Sequence, residues 1–341
     1  MTRRFAPFNP SSLSARCAAS LAAAAAVAAG TALAALPAQA QDFPTRAVRV
    51  VTPFPAGSGP EVALRLMANN LSKRWGQPVI VDNRPGASGF IAIEAVKRAT
   101  PDGHELLQLD NAQMAAQPFL FKKLPYELLR DFEPVTPIFR NYFFVNVPIA
   151  SPYKTMSDLI AAAKTKPGQV NYGSWFVGSP GHIGAAMLES ATATQMTHVP
   201  YKEMSQLYVA VANKEVDWAF GSAASAGGMQ RAGKTRYLAV AAPKRVAGFP
   251  DVPTIAESGG PDGFELSAWT ALLTPKGTPK ATVEKIQKDV AAVLAEQEFK
   301  DKYAAMYYEP FALNTEGFLR QLRTDSQRYG DTIKRMNISL D

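Results

Sequence analysis

Cysteine is nearly missing from this chain. The one that it has, Cys17, lies within the first forty residues. Beyond that segment disulfides, thiolate catalysis and cysteine metal sites are excluded. Histidine is almost as scarce: His104, His182 and His198 stand far apart, without the short ligand spacings of a zinc site. No Gly-x-Ser-x-Gly elbow offers a serine nucleophile. A general base and nucleophile cannot be assembled from what remains, so no catalytic residue is assigned, no metal is expected and no cofactor is implied. After residue 40 no run is long and apolar enough to cross a bilayer. One nucleotide motif is present in form only. Gly228-Met229-Gln230-Arg231-Ala232-Gly233-Lys234-Thr235 fits a phosphate-binding loop, but its lysine should open a helix and Arg236 to Ala242 reads as a strand. Gly233 reads instead as the stop of the helix before it.

What is present begins with a leader. Arg3, Arg4 and Arg16 give a basic start, Ala18 to Leu36 an alanine-rich middle, and Ala38-Gln39-Ala40 a small-residue cleavage pattern. Residues 1–40 are therefore predicted to be a signal peptide cleaved near Ala40, with the protein exported to the periplasm. A retained membrane anchor is the alternative, and the pair Arg3-Arg4 leaves the export route open. Without the leader, 33 Lys and Arg face 29 Asp and Glu, a balance of +4. That charge, unclustered over some three hundred residues, is no nucleic-acid footprint, and no nucleic-acid partner is expected.

The stretch Val48 to Trp75 organises the rest. Val48, Val50 and Val51 begin a strand running to Phe54, Pro55 to Pro60 form a loop, and a helix follows with Ala63, Met67, Leu71 and Trp75 recurring every four residues beside Val62 and Leu66. Ser58 and Glu61 stand at capping-box spacing. A glycine loop that opens into a helix presents unpaired N–H groups and the positive end of the helix dipole, which suits an anion; an ordinary capped turn gives the same pattern. Strand-like and helix-like segments then alternate along the chain, as in α/β layers with largely parallel sheets. Strands are predicted at Val79 to Val81, Leu106 to Leu109, Val170 to Tyr172, Thr197 to Val199, Val216 to Phe220 and Tyr237 to Ala242. Helices are predicted near Ile91 to Ala99, Met156 to Lys164, Ile183 to Ser190, Ser205 to Asn213 and Ala281 to Ala295, and from Thr278 onward there is little but helix.

Two extended apolar segments, Asn141 to Pro148 and Phe264 to Pro275, read as crossings between domains. They imply a first domain of residues 42–142 plus 268–341 and an inserted second domain of 143–267, with the ligand in the cleft between them. The second domain repeats the opening device. Val170-Asn171-Tyr172 leads through Gly173 to Gly178 into Ser179-Pro180-Gly181-His182, with Ser179 placed as N-cap and Pro180 as first helical residue. Two such helix starts can hold one carboxylate between them; each is equally explained by simple capping. His182 reads either as a ligand contact or as a first-turn polar residue. A third polar loop, Asn83 to Gly89, has glycines that permit close backbone approach.

At these residues the chain resembles the Bug proteins, periplasmic solute-binding receptors of tripartite tricarboxylate transporters. The resemblance rests on the order of Pro53-Phe54-Pro55-Ala56-Gly57, Val81-Asp82-Asn83-Arg84-Pro85-Gly86-Ala87, Pro101-Asp102-Gly103, Val199-Pro200-Tyr201-Lys202, Leu238-Ala239-Val240 and Pro250-Asp251-Val252-Pro253-Thr254. It implies a type II periplasmic-binding fold, two α/β domains around a ligand cleft, that captures a small carboxylate and delivers it to transporter membrane subunits as a monomer. It further implies that the loops Gly57, Ser58, Gly59, Glu61 and Ser179, Gly181, His182 pinch one carboxylate, and that Ala87, Ser88, Asp110, Asn111, Tyr201 and Gly221 read the remainder; Phe54 and Trp175 are further candidate ligand contacts. The chain departs from the family at Gly57-Ser58, where Gly-Gly is frequent, at Glu61, where aspartate is frequent, and at Gly221-Ser222, where many members carry an aspartate. Lacking that acid weakens the case for an amino-acid ligand, whose ammonium needs a partner. Trp175-Phe176, in a loop commonly small, points to an aromatic or bulky carboxylate. Presentation to a membrane sensor and a periplasmic hydrolase are the alternative functions.

Overall fold

The computed structural model describes residue 2 and residues 43–340, so the expected leader lies outside the described residues. The chain opens with three parallel strands, β1 (Val48–Thr52), β2 (Val79–Asn83) and β3 (Glu105–Asp110), linked by helices α1 (Gly59–Trp75) and α2 (Phe90–Lys97). β1 stops at Thr52 rather than Phe54, where Pro53 supplies no N–H for a ladder. α1 buries Ala63, Leu64, Met67, Ala68 and Leu71, and each full-sized side chain among them contributes about 1.5–3 kcal/mol. Val62 was expected on that face and instead is exposed. The buried set is centred on Leu64, Met67 and Leu71, on the face of the helix opposite Val62.

Proline shapes the longest element. β4 (Phe132–Pro148) extends the predicted crossing at Asn141 backwards by nine residues, through Pro134 and Pro137. Prolines argue against a central strand because they cannot donate to the ladder. Here the register against its neighbour shifts between Pro134 and Thr136 and again between Pro137 and Phe139, so irregularities absorb them.

The middle of the chain alternates as expected: α3 (Met156–Thr165), β5 (Asn171–Ser174), α4 (Pro180–Thr192), β6 (Thr197–Pro200), α5 (Met204–Ala212), β7 (Trp218–Ser222), α6 (Ala223–Arg231) and β8 (Thr235–Val240). α6 ends at Gly233, whose φ is +66°, and the Lys234 N–H returns to the Met229 carbonyl at 3.0 Å. Lys234 therefore precedes a strand, and the formal nucleotide motif is a helix stop. β9 (Ser267–Pro275) covers most of the second segment predicted as a crossing and pairs with β3 and β4; it is followed by α7 (Lys280–Ala295), α8 (Gln297–Ala305), the two-residue β10 (Glu309–Pro310) and α9 (Thr315–Arg335).

The strands form two sheets that share β4. The first runs β2-β1-β3-β9-β4, with β10 on the far edge of β4; the second runs β4-β7-β5-β6, with β8 also on β4. Each sheet has its own core, one around Phe132, Trp269 and Phe318 and the other around Tyr172, Trp218 and Phe220. α4 joins both: Ile183 packs with Leu107, Leu109 and Trp269 of the first core, whereas Ala185 and Leu188 pack in the second.

Candidate ligand-binding site

Two strand-to-helix loops open the helices α1 and α4, and the first of them is tied to β3. In the first, the Pro60 carbonyl accepts a hydrogen bond from Gln108 Nε2 at 3.2 Å; Gln108 also meets Thr52 Oγ1 at 2.7 Å and Thr270 Oγ1 at 3.3 Å. In the second, Gly178 lies against Leu120 and Leu340, and Ile183 enters the core containing Leu107 and Leu109. Gln108 is fully buried and had no signal in the sequence, since an isolated Gln between two leucines reads as a solvated strand position.

The expected capping box at Ser58 and Glu61 does not form. Ser58 occupies the N-cap position with extended backbone, but its hydroxyl donates to the Pro55 carbonyl at 2.7 Å and caps no helical N–H. Glu61 reaches one residue further back and accepts from the Gly57 N–H at 3.0 Å. The first turn of α1 is thus left without a side-chain cap from Ser58, its Gly59 and Glu61 donors at the positive end of the dipole. Glu61 is only 2% exposed. Burial pushes its carboxyl up, but the Gly57 N–H and the Arg65 guanidinium, whose Nε donates at 2.9 Å, together hold it below the ordinary value. The paired Arg65 offsets the charge that would otherwise repel an anion at this helix start. Gly59 is required by space: a Cβ there would lie 2.3 Å from the Tyr308 hydroxyl. Phe54 is half-buried beside these residues, its carbonyl accepting from Asn83 Nδ2 at 3.0 Å.

The second loop is capped as drawn from the sequence. Ser179 Oγ accepts from the His182 N–H at 3.3 Å, and His182 Nδ1 accepts from the Gly178 N–H at 3.0 Å, which places the ring proton on Nε2. His182 is buried and stacks on His198, ring centroids 3.9 Å apart and 9° from parallel; His198 in turn meets Ser174 Oγ at 2.7 Å. Burial lowers the His182 pKa, and burial with the neighbouring His182 lowers that of His198 to about 4. Both rings are neutral at pH 7. Trp175 is buried, stacks on Phe143 at 5.8 Å and lies where a Cβ on Gly181 would be, while Phe176 is exposed.

A third group surrounds Asp110. Gly86, Ala87, Ser88 and Gly89 all have positive φ, from 46° to 109°, a strained run for the two non-glycine residues. Gln117 Nε2 donates to the Ser88 carbonyl at 2.8 Å, Gln117 Oε1 accepts from Tyr126 Oη at 2.8 Å, and Gln113 bridges to Asp110, whose Oδ1 accepts from the Gln113 N–H at 2.8 Å. Burial pushes the Asp110 carboxyl up to about 6. Asn111 is committed elsewhere: its Nδ2 donates to the Ser267 carbonyl at 3.0 Å and to Tyr329 Oη at 2.9 Å, tying β3 to β9 and α9. In the second sheet Tyr201 is half-buried next to Gly173, and Gly221 lies under the Tyr208 hydroxyl, with no room for a Cβ.

This chain, with two sheets on a shared strand and glycine-containing loops opening into α1 and α4, has a match among known families. The model of the TctC family, the tripartite tricarboxylate transporter family receptor, matches residues 63–338. The chain belongs to this receptor family. BugT of Bordetella pertussis is 28% identical over 310 residues, 90% of this chain and 94% of BugT. Among solved structures, Rpa4515 of R. palustris with adipate is 30% identical with a TM-score of 0.74, covering 86% of this chain and 98% of that one. MatC of Rhodopseudomonas palustris with bound malate is 28% identical with a TM-score of 0.69, covering 85% and 100%. As in these relatives, the fold is that of a TctC periplasmic binding protein, which is the fold expected from the Bug-like motifs.

Proposed function

We propose that this chain is an exported receptor that captures a small carboxylate and delivers it to the membrane subunits of a tripartite transporter. The observation that carries the reading is the uncapped first turn of α1 at Gly59 and Glu61, positioned over the end of β3 with Glu61 neutralised by Arg65. Adipate and malate in the two related receptors support a carboxylate as the ligand class. The domains are residues 42–142 plus 268–341 and residues 143–267, and they close on the ligand by bending at β4 and β9. The capped loop at Ser179 supplies the opposing wall, leaving the Gly181 N–H as its free donor. Ala87, Ser88 and Asp110 contact the far end of the ligand, and the chain performs no reaction on it. Among the described residues no helix is long and apolar enough to cross a membrane. Titration calorimetry with adipate, malate and neutral analogues tests the reading: saturable heat with the acids and none with their amides is expected, and equal binding of the amides would overturn it.

A further inference from the structure

The proposed anion site has an unassigned neighbour. A cavity of about 120 Å³ lies where β4 passes from one sheet to the other. Its walls are Tyr142 and Phe144 of β4, Ala223 at the start of α6, Phe249, and Tyr307 and Tyr308 between α8 and β10. Val246 and Gly248 also line it, and apart from Asn141 and Glu309 every lining residue is aromatic, aliphatic or glycine. A dry apolar cavity of about 150 Å³ in another protein holds benzene, so this one is matched to a single six-membered ring.

One residue joins the cavity to the anion site. Tyr308 stacks on Phe139 at 4.2 Å and lines the cavity with its ring, and its hydroxyl touches the Gly59 position at the start of α1. The opposite wall, Ala223, is two residues beyond Gly221 and follows the Ser222 cap of α6. The cavity thus begins beside one helix start and ends beside another.

We infer that the carboxylate ligand carries a ring, and that this ring occupies the cavity at the β4 crossing while the carboxylate sits on the first turn of α1. The inference rests on the proposed carboxylate-binding function and names its substrate class, a monocyclic aromatic or alicyclic acid. It also relocates the aromatic-reading surface. Trp175 is already stacked on Phe143, so the ring meets Tyr142, Phe144 and Tyr308 instead. Because walls from both sheets close on it, a ring of this size stabilises one angle between them.

The test compares a ring acid with an open-chain diacid. Benzoate, phenylacetate and cyclohexanecarboxylate are titrated beside adipate into the wild type, Gly248→Leu and Val246→Phe. A Cβ on Gly248 meets only Tyr307, at 3.8 Å, so the leucine grows along the cavity wall. Both variants are checked for an unchanged melting temperature without ligand, and either one that folds suffices. At least one ring acid is expected to bind the wild type and to lose about tenfold or more in affinity in the filled variant, with adipate shifting less than about twofold. Adipate binding without any ring acid, or a ring acid insensitive to both fillings, overturns the inference and leaves the carboxylate reading standing. Failure of every acid to bind the wild type overturns both.

Discussion

His182 Nδ1 accepts a hydrogen bond from the Gly178 N–H at 3.0 Å, so the second loop is held by the neutral form of a buried histidine. Protonation at Nδ1 turns that acceptor into a donor facing a donor. Because the folded-state pKa values of His182 and His198 are lowered, the unfolded chain takes up protons first as the pH falls below about 6.5. Stability contributed by the stacked pair is therefore complete above that value and is lost as the pH drops toward about 4. Urea unfolding at pH 7 and pH 4.5 should differ by on the order of 1–2 kcal/mol more in the wild type than in His198→Phe, after allowing for solvent screening. Equal pH dependence in the two proteins would remove the pair from the account.

Gly59→Ala should distort the first loop, since its methyl would lie 2.3 Å from the Tyr308 hydroxyl. A cost of about 1–3 kcal/mol in stability and a matching loss of ligand affinity are expected. The Tyr308→Phe background removes the clashing oxygen, and a double-mutant cycle should show most of the loss restored. Additive effects would mean that the two residues do not meet.

Gln117 holds Ser88 in a left-handed conformation through the 2.8 Å bond to its carbonyl. Gln117→Leu removes that bond and should weaken ligand binding by about 1 kcal/mol, roughly fivefold. Adding Ser88→Gly, which carries no left-handed penalty, should recover part of the affinity. Calorimetric titration of the three variants decides it, and no recovery would count against preorganisation of this loop.

Asp110, pushed up to about 6 by burial, is protonated below that pH and can donate to a ligand carboxylate. Affinity for an acid should fall as the pH rises through about 6, and Asp110→Asn should flatten this profile between pH 5 and pH 7.5. A profile unchanged by the substitution places Asp110 outside the site.

The fold was largely legible because α/β alternation leaves its mark in β-branched runs separated by four-residue repeats, as at Val48 to Trp75. The first half of β4 was not legible, since Pro134 and Pro137 are strand breakers whose irregularities depend on the neighbouring β9. At the site, glycine loops and N-cap residues stood out in the sequence. Their detailed bonding did not: Ser58 bonds backward to Pro55, and Glu61 skips Ser58 for Gly57, because loop curvature sets those distances. Gln108, Gln113 and Gln117 were silent because a glutamine's reach across strands is a tertiary property with no local spacing.

The most direct test of the central claim is calorimetric titration of adipate and a ring acid into the wild type and Ser58→Trp, with circular dichroism to confirm that the variant is folded. The bulky side chain stands at the entrance to the first turn of α1. Saturable binding by the wild type and none by the folded variant is the predicted result; equal affinity in both would contradict the placement of the carboxylate on α1.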